Sequence, residues 1–328
     1  MKGDMIMSFK QLFRNFIALL AVITVFASGC AFAEVRTPQP IQTIPYDQID
    51  PIVEGQHHYL LLCTDVWHGN PSNLGNTDGI VLVTLDTRAH RVMLTSFIRD
   101  ALVYRKNEEG NYGIGRINYI AKNSSPEYLC EVISEHINVK VEKYILFDFS
   151  QIQDIIDACG GVDITINSSE NDYLKRYAIP RYSTTPVLNG PGTYHFRGHS
   201  AVIYMRIRKA GGGGDFMRTQ RVRTVLSTLA DGCREMTYDE AKELLNTIVE
   251  NNTMTNMTLE EMVEAMDYAY GLRDCTVEEL RLPPDGAATP INYANMAVQE
   301  IDWDVCREAM ADYLQNSFLV LDDEDDLD

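Results

Sequence analysis

Asp78-Gly-Ile-Val-Leu-Val-Thr-Leu-Asp-Thr-Arg-Ala-His-Arg-Val-Met-Leu-Thr-Ser-Phe-Ile-Arg-Asp100 holds two apolar runs, rich in β-branched residues, on either side of a short polar turn. Such runs bounded by turn signals read as strands, and here as a hairpin of 79–85 and 91–96. With the turn centred near Ala89, residues whose numbers sum to about 178 lie opposite each other, which predicts Asp78 facing Asp100. Upstream, Tyr59-Leu-Leu-Leu-Cys63 reads as another buried strand ending at Asp65, joined to the hairpin by the polar loop 66–77. If that strand runs antiparallel to the next, Asp65 comes to the same end of the sheet. Three carboxylates and Arg99 are then expected to converge there.

Further along, the patterning predicts helices over 126–136 and 150–158, the second closed by Gly160-Gly161, with strands over 144–147 and 162–166. Residues 167–193 are polar and read as loop. A short helix over 197–205 delivers Arg206 and Arg208, and a helix over 215–231 follows with Asp215 as its N-cap. On that helix Asp215, Arg218 and Arg221 share a face. Helical stretches near 238–250, 258–271 and 302–317 read as an extension of the same domain. Mixed strands and helices in this order predict a layered α-β-α sandwich around a central mixed sheet, one domain with a helical C-terminal extension.

Residues 206–223 are the one strongly cationic spot in a chain whose formal charge is −19. Arg206, Arg208, Lys209, Arg218, Arg221 and Arg223 surround Asp215 and the four glycines 211–214. Guanidinium forks at this density suit phosphate oxygens, and diphosphate is the leading expectation; a solvated basic helix face is the alternative. The four glycines lack the Gly-Lys-Ser/Thr of a phosphate loop and read as a flexible connection. With no broad basic face, nucleic-acid binding is set aside. Residues 318–328 form an acidic tail.

Lys2, Lys10 and Arg14 precede an apolar run over 16–33. Residues 1–33 therefore read as an export signal or a membrane anchor, and 34–56 as a linker to a body spanning 57–317. Either outcome places the body outside the cytoplasm, at the membrane or in the cell wall. Six cysteines follow Cys30 without any Cys-x-x-Cys pair, so no zinc site is spelled and disulfide pairing stays open.

Taken in order, Asp65, Asp78, Arg99-Asp100, Arg116-Ile-Asn118, Cys159-Gly-Gly-Val-Asp163, Arg206-Ile-Arg208 and Asp215-Phe-Met-Arg218-Thr-Gln-Arg221 resemble the LytR-CpsA-Psr family over roughly residues 57–285. The resemblance implies an extracytoplasmic, membrane-anchored phosphotransferase. It would move a glycopolymer, such as teichoic acid or capsular polysaccharide, from an undecaprenyl-diphosphate carrier onto peptidoglycan. It also implies Mg²⁺ held by Asp65 and Asp78, with Arg99 and Asp100 orienting diphosphate and metal. Arg116, Arg206, Arg208, Arg218 and Arg221 would grip the diphosphate. Cys63, Asn76-Thr77, Ile98 and Val222 depart from the family's usual glycine, arginine-serine, proline and glutamine. Two other readings share these residues: a polyprenyl-diphosphate diphosphatase, and a non-catalytic module that binds lipid-linked glycans in envelope regulation.

Overall fold

The hairpin forms the middle of a six-stranded mixed sheet. The computed structural model describes residues 34–35, 37–69, 74–106, 109–177, 186–207, 214–251, 253–275 and 277–319. In chain order the strands are β1 (Glu34–Val35), β2 (Gln56–Thr64), β3 (Thr77–Asp86), β4 (Arg91–Phe97), β5 (Leu102–Lys106), β6 (Tyr112–Arg116), β7 (Lys143–Phe147), β8 (Val162–Ile166), β9 (Gly192–Phe196), β10 (Met254–Thr255), β11 (Val277–Leu282), β12 (Ala288–Tyr293) and β13 (Met296–Ile301). The helices are α1 (Ile120–Asn123), α2 (Pro126–Ile137), α3 (Phe149–Ala158), α4 (Ser168–Tyr177), α5 (Gly198–Met205), α6 (Gly214–Gly232), α7 (Tyr238–Glu250), α8 (Leu259–Gly271) and α9 (Trp303–Leu319).

The central sheet runs β10-β7-β2-β3-β4-β11. β2 is antiparallel to β3 and parallel to β7, and β11 is parallel to β4, so β7, β2, β4 and β11 all point one way. Strict alternation along β2 turns Leu60 and Leu62 to one face. There they join Ile80 and Leu82 under α2 and α9, in a core that also takes Ile133, Trp303 and Met310. Cys63 faces the other way, toward a second core built from α3, α5 and α6 around Phe149, Ile156 and Val202. Helices therefore cover both faces of the sheet, as the layered reading expected.

Local chemistry explains the helix starts. Ser125 caps α2 by accepting the Tyr128 amide at 3.1 Å, with Pro126 at the first helical position. Asp148 and Gln151 form a reciprocal capping box at α3. Gly198 lets α5 cross α3 closely, because a Cβ there would stand 2.2 Å from the Gln153 carbonyl oxygen.

Several expectations are corrected. Residues 168–177, read as loop, form α4. The C-terminal part adds β11 to the central sheet and the β12–β13 hairpin beside it, so it is not purely helical. The stretch read as a linker is docked: Ile49 is buried, the Ile44 amide donates to the Glu135 carbonyl at 3.0 Å, and β1 pairs with β12. The helix beginning at 215 starts at Gly214 instead, one residue ahead of Asp215, whose side chain lies outside the described residues. Residues 1–33 also lie outside them; among the described residues no helix is long and apolar enough to cross a membrane. Cys130, Cys275 and Cys306 are buried free thiols, and Cys63 is a half-buried one.

Two buried histidines make the fold acid-sensitive. His136 accepts the Tyr104 amide on Nε2 at 3.0 Å and donates from Nδ1 to the Val132 carbonyl at 2.6 Å, so the neutral ring is the one that fits. Burial pushes its pKa down to about 4, and burial likewise brings His58 to about 4. Both are depressed from 6.5, so the unfolded chain binds these protons first. Their contribution is complete above pH ~6.5 and is lost as pH falls toward ~4, at about 3 kcal/mol each. Urea midpoints should fall steadily from pH 7 to pH 4, with a shallower decline in His136→Gln. A midpoint flat over that range would contradict the account.

Candidate active site

The carboxyl ends of β7, β2, β4 and β11 and the start of β3 meet at one edge, the usual place for a ligand crevice in an α/β sheet. The observed register pairs Val81 with Ser96 and Asp86 with Arg91, one residue off the predicted one. Arg99, not Asp100, consequently comes opposite Asp78. Arg99 Nη1 donates to Asp78 Oδ1 at 2.7 Å, and Arg218 Nη1, reaching down from α6, donates to Oδ2 at 3.0 Å. Arg99 Nε also lies 3.5 Å from Asp100 Oδ2, while Arg116 Nη2 donates to Asp100 Oδ1. Asp78, Arg99, Asp100, Arg116 and Arg218 thus form one continuous charged chain.

These side chains are largely buried, from 5% exposed for Arg218 to 18% for Asp100. Charge-assisted hydrogen bonds in such a place are strong and directional. Arg116 also lies over the Tyr119 ring, 4.7 Å from its centre, and donates to its hydroxyl at 3.0 Å. Beside it, Arg116 Nε and Asn118 Oδ1 are buried with no hydrogen-bond partner, groups that a ligand or a water would satisfy. Met296 Sδ, at the turn of the β12–β13 hairpin, lies 3.9 Å from the Tyr119 hydroxyl and borders this end.

Asp65 comes to the same edge, because β2 runs antiparallel to β3. Its Oδ1 accepts the Asn76 amide at 2.7 Å and its Oδ2 the Asn76 side chain at 3.1 Å. Gly75 makes that possible: its φ is +69°, and a Cβ there would stand 2.5 Å from Asp65 Oδ1. Asn76 therefore positions Asp65.

Arg206 is exposed at the end of α5 and stacks on the Phe149 ring, 4.4 Å from its centre. Trp67, just after Asp65 and 36% exposed, stacks on His199 and leans on Phe149. The Cys63 thiol, pushed up strongly by burial and by Asp78, lies within electrostatic reach of both Arg206 and Arg218. Arg206 accordingly borders the same site, with an aromatic platform at its side. Sequence reasoning missed Tyr119, Phe149 and Trp67; each becomes significant only through its contact with an arginine or a stacked neighbour.

Arg221 goes elsewhere. It is 1% exposed, and it donates to Glu170 Oε1 at 2.7 Å and to the Ile207 carbonyl at 2.8 Å. Although Arg218 and Arg221 are neighbours on α6, one serves Asp78 and the other clamps α4 to α6. Arg208 and the four glycines' first three residues lie outside the described residues.

The sequence profile of the LytR_cpsA_psr family matches residues 38–311. The chain belongs to this family. Among curated proteins it is similar to the polyisoprenyl-teichoic acid–peptidoglycan teichoic acid transferase TagV of Bacillus subtilis, 22% identical over 63% of this chain and 52% of that one. It is also similar to the transferase of the same description TagU from Bacillus mycoides, 25% identical over 65% of this chain and 64% of that one. The chain thus spans between half and two thirds of the length of these relatives. Bacillus subtilis TagT, solved bound to LI-WTA, superposes with a TM-score of 0.64 at 20% identity, over 87% of this chain and 98% of that one. That likeness shows the LytR_cpsA_psr fold.

Proposed function

We propose that this chain is an extracytoplasmic phosphotransferase that moves a glycopolymer from an undecaprenyl-diphosphate carrier onto peptidoglycan. The observation that carries this reading is the chain of charges at the sheet edge. There Arg99, Arg116 and Arg218 converge on Asp78 and Asp100, Arg206 borders them, and buried polar atoms of Arg116 and Asn118 are left without partners. Four guanidinium groups against three carboxylates, Asp65, Asp78 and Asp100, leave a net positive site, suited to a diphosphate diester. The transferase names of the relatives support the same reading. The apolar N-terminal run supports export and anchoring.

In this reaction the acceptor hydroxyl oxygen attacks the phosphorus on the glycan side. The bond to the bridging oxygen breaks, polyprenyl monophosphate leaves, and a phosphodiester joins polymer to acceptor. Asp78 or Asp100 takes the hydroxyl proton. The arginines hold the phosphoryl oxygens in line and offset the charge that gathers on the leaving group. Arg206 meets the diphosphate at the mouth, and the Trp67–His199 stack offers the adjoining sugar an aromatic face.

Mg²⁺ is part of the proposal. Asp78 and Asp65, at the same edge of the sheet, offer oxygen donors only, a donor set that fits a hard divalent ion. Bound there, it would neutralise phosphoryl oxygens.

Binding tests this reading. The full chain in detergent should bind a polyprenyl diphosphate, and Arg116→Gln should weaken it by about 10- to 100-fold through loss of a charge-assisted contact. Equal affinity in wild type and variant would overturn the assignment of the site.

A further inference from the structure

At the opposite end of the central sheet, His90, Asp274 and Cys275 place a nitrogen, a carboxylate oxygen and a sulfur within 4.8 Å of one another. We propose that these three residues form a binding site for a divalent transition ion of the zinc class. It is independent of the diphosphate site.

The backbone sets this arrangement before any rotamer does. β11 pairs in parallel with β4, with Val277 beside Val92, and Cys275 lies just ahead of β11 as His90 lies just ahead of β4. His90 sits at the turn between β3 and β4 with φ of +51°, a conformation that histidine adopts more readily than most residues. Its Nε2 lies 3.3 Å from Asp274 Oδ1. Ligand atoms at zinc–nitrogen and zinc–oxygen distances of about 2.1 Å, set tetrahedrally, stand about 3.4 Å apart, so this edge already has the required length. The sulfur lies within 4.8 Å of both.

Cys275 is held in place. It is buried against Leu85 and Leu272, its amide donates to the Leu272 carbonyl at 3.0 Å, and its own carbonyl accepts Arg234 Nη2 at 3.0 Å. His90 and Asp274 are exposed, with side chains 60% and 73% accessible, so an ion and a water or other fourth ligand can reach the site from solvent. Imidazole, thiolate and one carboxylate form a borderline-soft set that favours zinc, cobalt or nickel over Mg²⁺ or Ca²⁺. An ion here would pin the β3–β4 turn to the entry of edge strand β11. His90 and Asp274 would gain what the open pair lacks, since exposed ion pairs contribute little.

The test uses the purified full chain in detergent and cobalt(II) as a spectroscopic probe, then zinc in competition. Cobalt should give a thiolate-to-metal charge-transfer absorption, displaced by zinc, and zinc should raise the Tm. His90→Asn keeps the turn conformation accessible and Asp274→Asn changes an exposed group, so both variants fold. Each should weaken zinc binding by roughly tenfold or more, and Cys275→Ala should abolish the thiolate band. Absence of that band in the wild type, or His90→Asn and Asp274→Asn binding zinc as tightly as the wild type, overturns the proposal.

Discussion

Replacing Asp78 with Asn is expected to lower glycopolymer transfer by about 10²- to 10³-fold, the scale on which removing one organised electrostatic group acts at a reaction centre. Asp78 is the junction of the charged chain, with Arg99 on one oxygen at 2.7 Å and Arg218 on the other at 3.0 Å. Asn keeps the shape but turns one acceptor into an NH₂ donor, so one guanidinium faces another donor. Both arginines then lose the charge that holds them where phosphoryl oxygens must land. The same change leaves a buried donor without an acceptor, at a cost to stability of about 1–3 kcal/mol. Asp163→Asn removes an exposed pair with His195 and should change neither property. Full transfer activity in Asp78→Asn would move the reaction centre elsewhere.

Arg221→Met should behave in the opposite way, with a large loss of stability and unchanged turnover per folded molecule. Glu170 is 4% exposed and is held from two sides: its Oε1 accepts Arg221 Nε, and its Oε2 accepts the Asn167 amide that opens α4. Removing one partner of such a buried pair costs about 3–5 kcal/mol, because the carboxylate is left charged and dry. The Ile207 carbonyl loses a donor as well. Adding Glu170→Gln to Arg221→Met should recover much of that loss, as the stranded charge disappears. Thermal denaturation of the three variants measures this, with KM for the lipid diphosphate measured beside it. A normally stable Arg221→Met with a raised KM would return Arg221 to the substrate site.

The contrast between Arg218 and Arg221 shows what the sequence could and could not tell. The motif Asp215-x-x-Arg-x-x-Arg221 was legible as a set, and helix geometry correctly made the two arginines neighbours. Which of them faces Asp78 depends on how α6 lies across the sheet, and tertiary packing alone decides that. The hairpin was legible because Ile80 to Leu85 and Val92 to Ser96 are strongly β-forming runs. A shift of one residue in the turn nevertheless exchanged Arg99 for Asp100 opposite Asp78, since local patterning does not fix turn geometry. α4 was missed because Ser-Ser-Glu-Asn-Asp-Tyr-Leu-Lys-Arg-Tyr carries little apolar period; Leu174 anchors it, and the Glu170–Arg221 clamp does the rest. β11 was missed for a related reason. Val-Glu-Glu-Leu-Arg-Leu has charges where a buried strand would have apolar groups, and those charges meet Arg91 and Arg223 from neighbouring elements.

Asp65 and Asn76 make the departures from the family's pattern interpretable. Asn76 donates to both carboxylate oxygens of Asp65, and its carbonyl accepts the Asp65 amide at 2.9 Å. Asn76 is thus a neutral clamp on a metal-ligand candidate. Cys63, where the family has glycine, adds a thiol that burial keeps protonated beside Asp78. The arginine–carboxylate chain itself is complete beside both residues.

Supplying the full chain with a polyprenyl-diphosphate-linked glycan, Mg²⁺ and peptidoglycan, and tracing both products, separates transfer from hydrolysis. Polyprenyl monophosphate and peptidoglycan-bound phosphodiester should form in equal amounts, and chelation should abolish both. Polyprenyl monophosphate released at the same rate without peptidoglycan, with the glycan phosphate free in solution, would make the protein a diphosphatase and contradict the account.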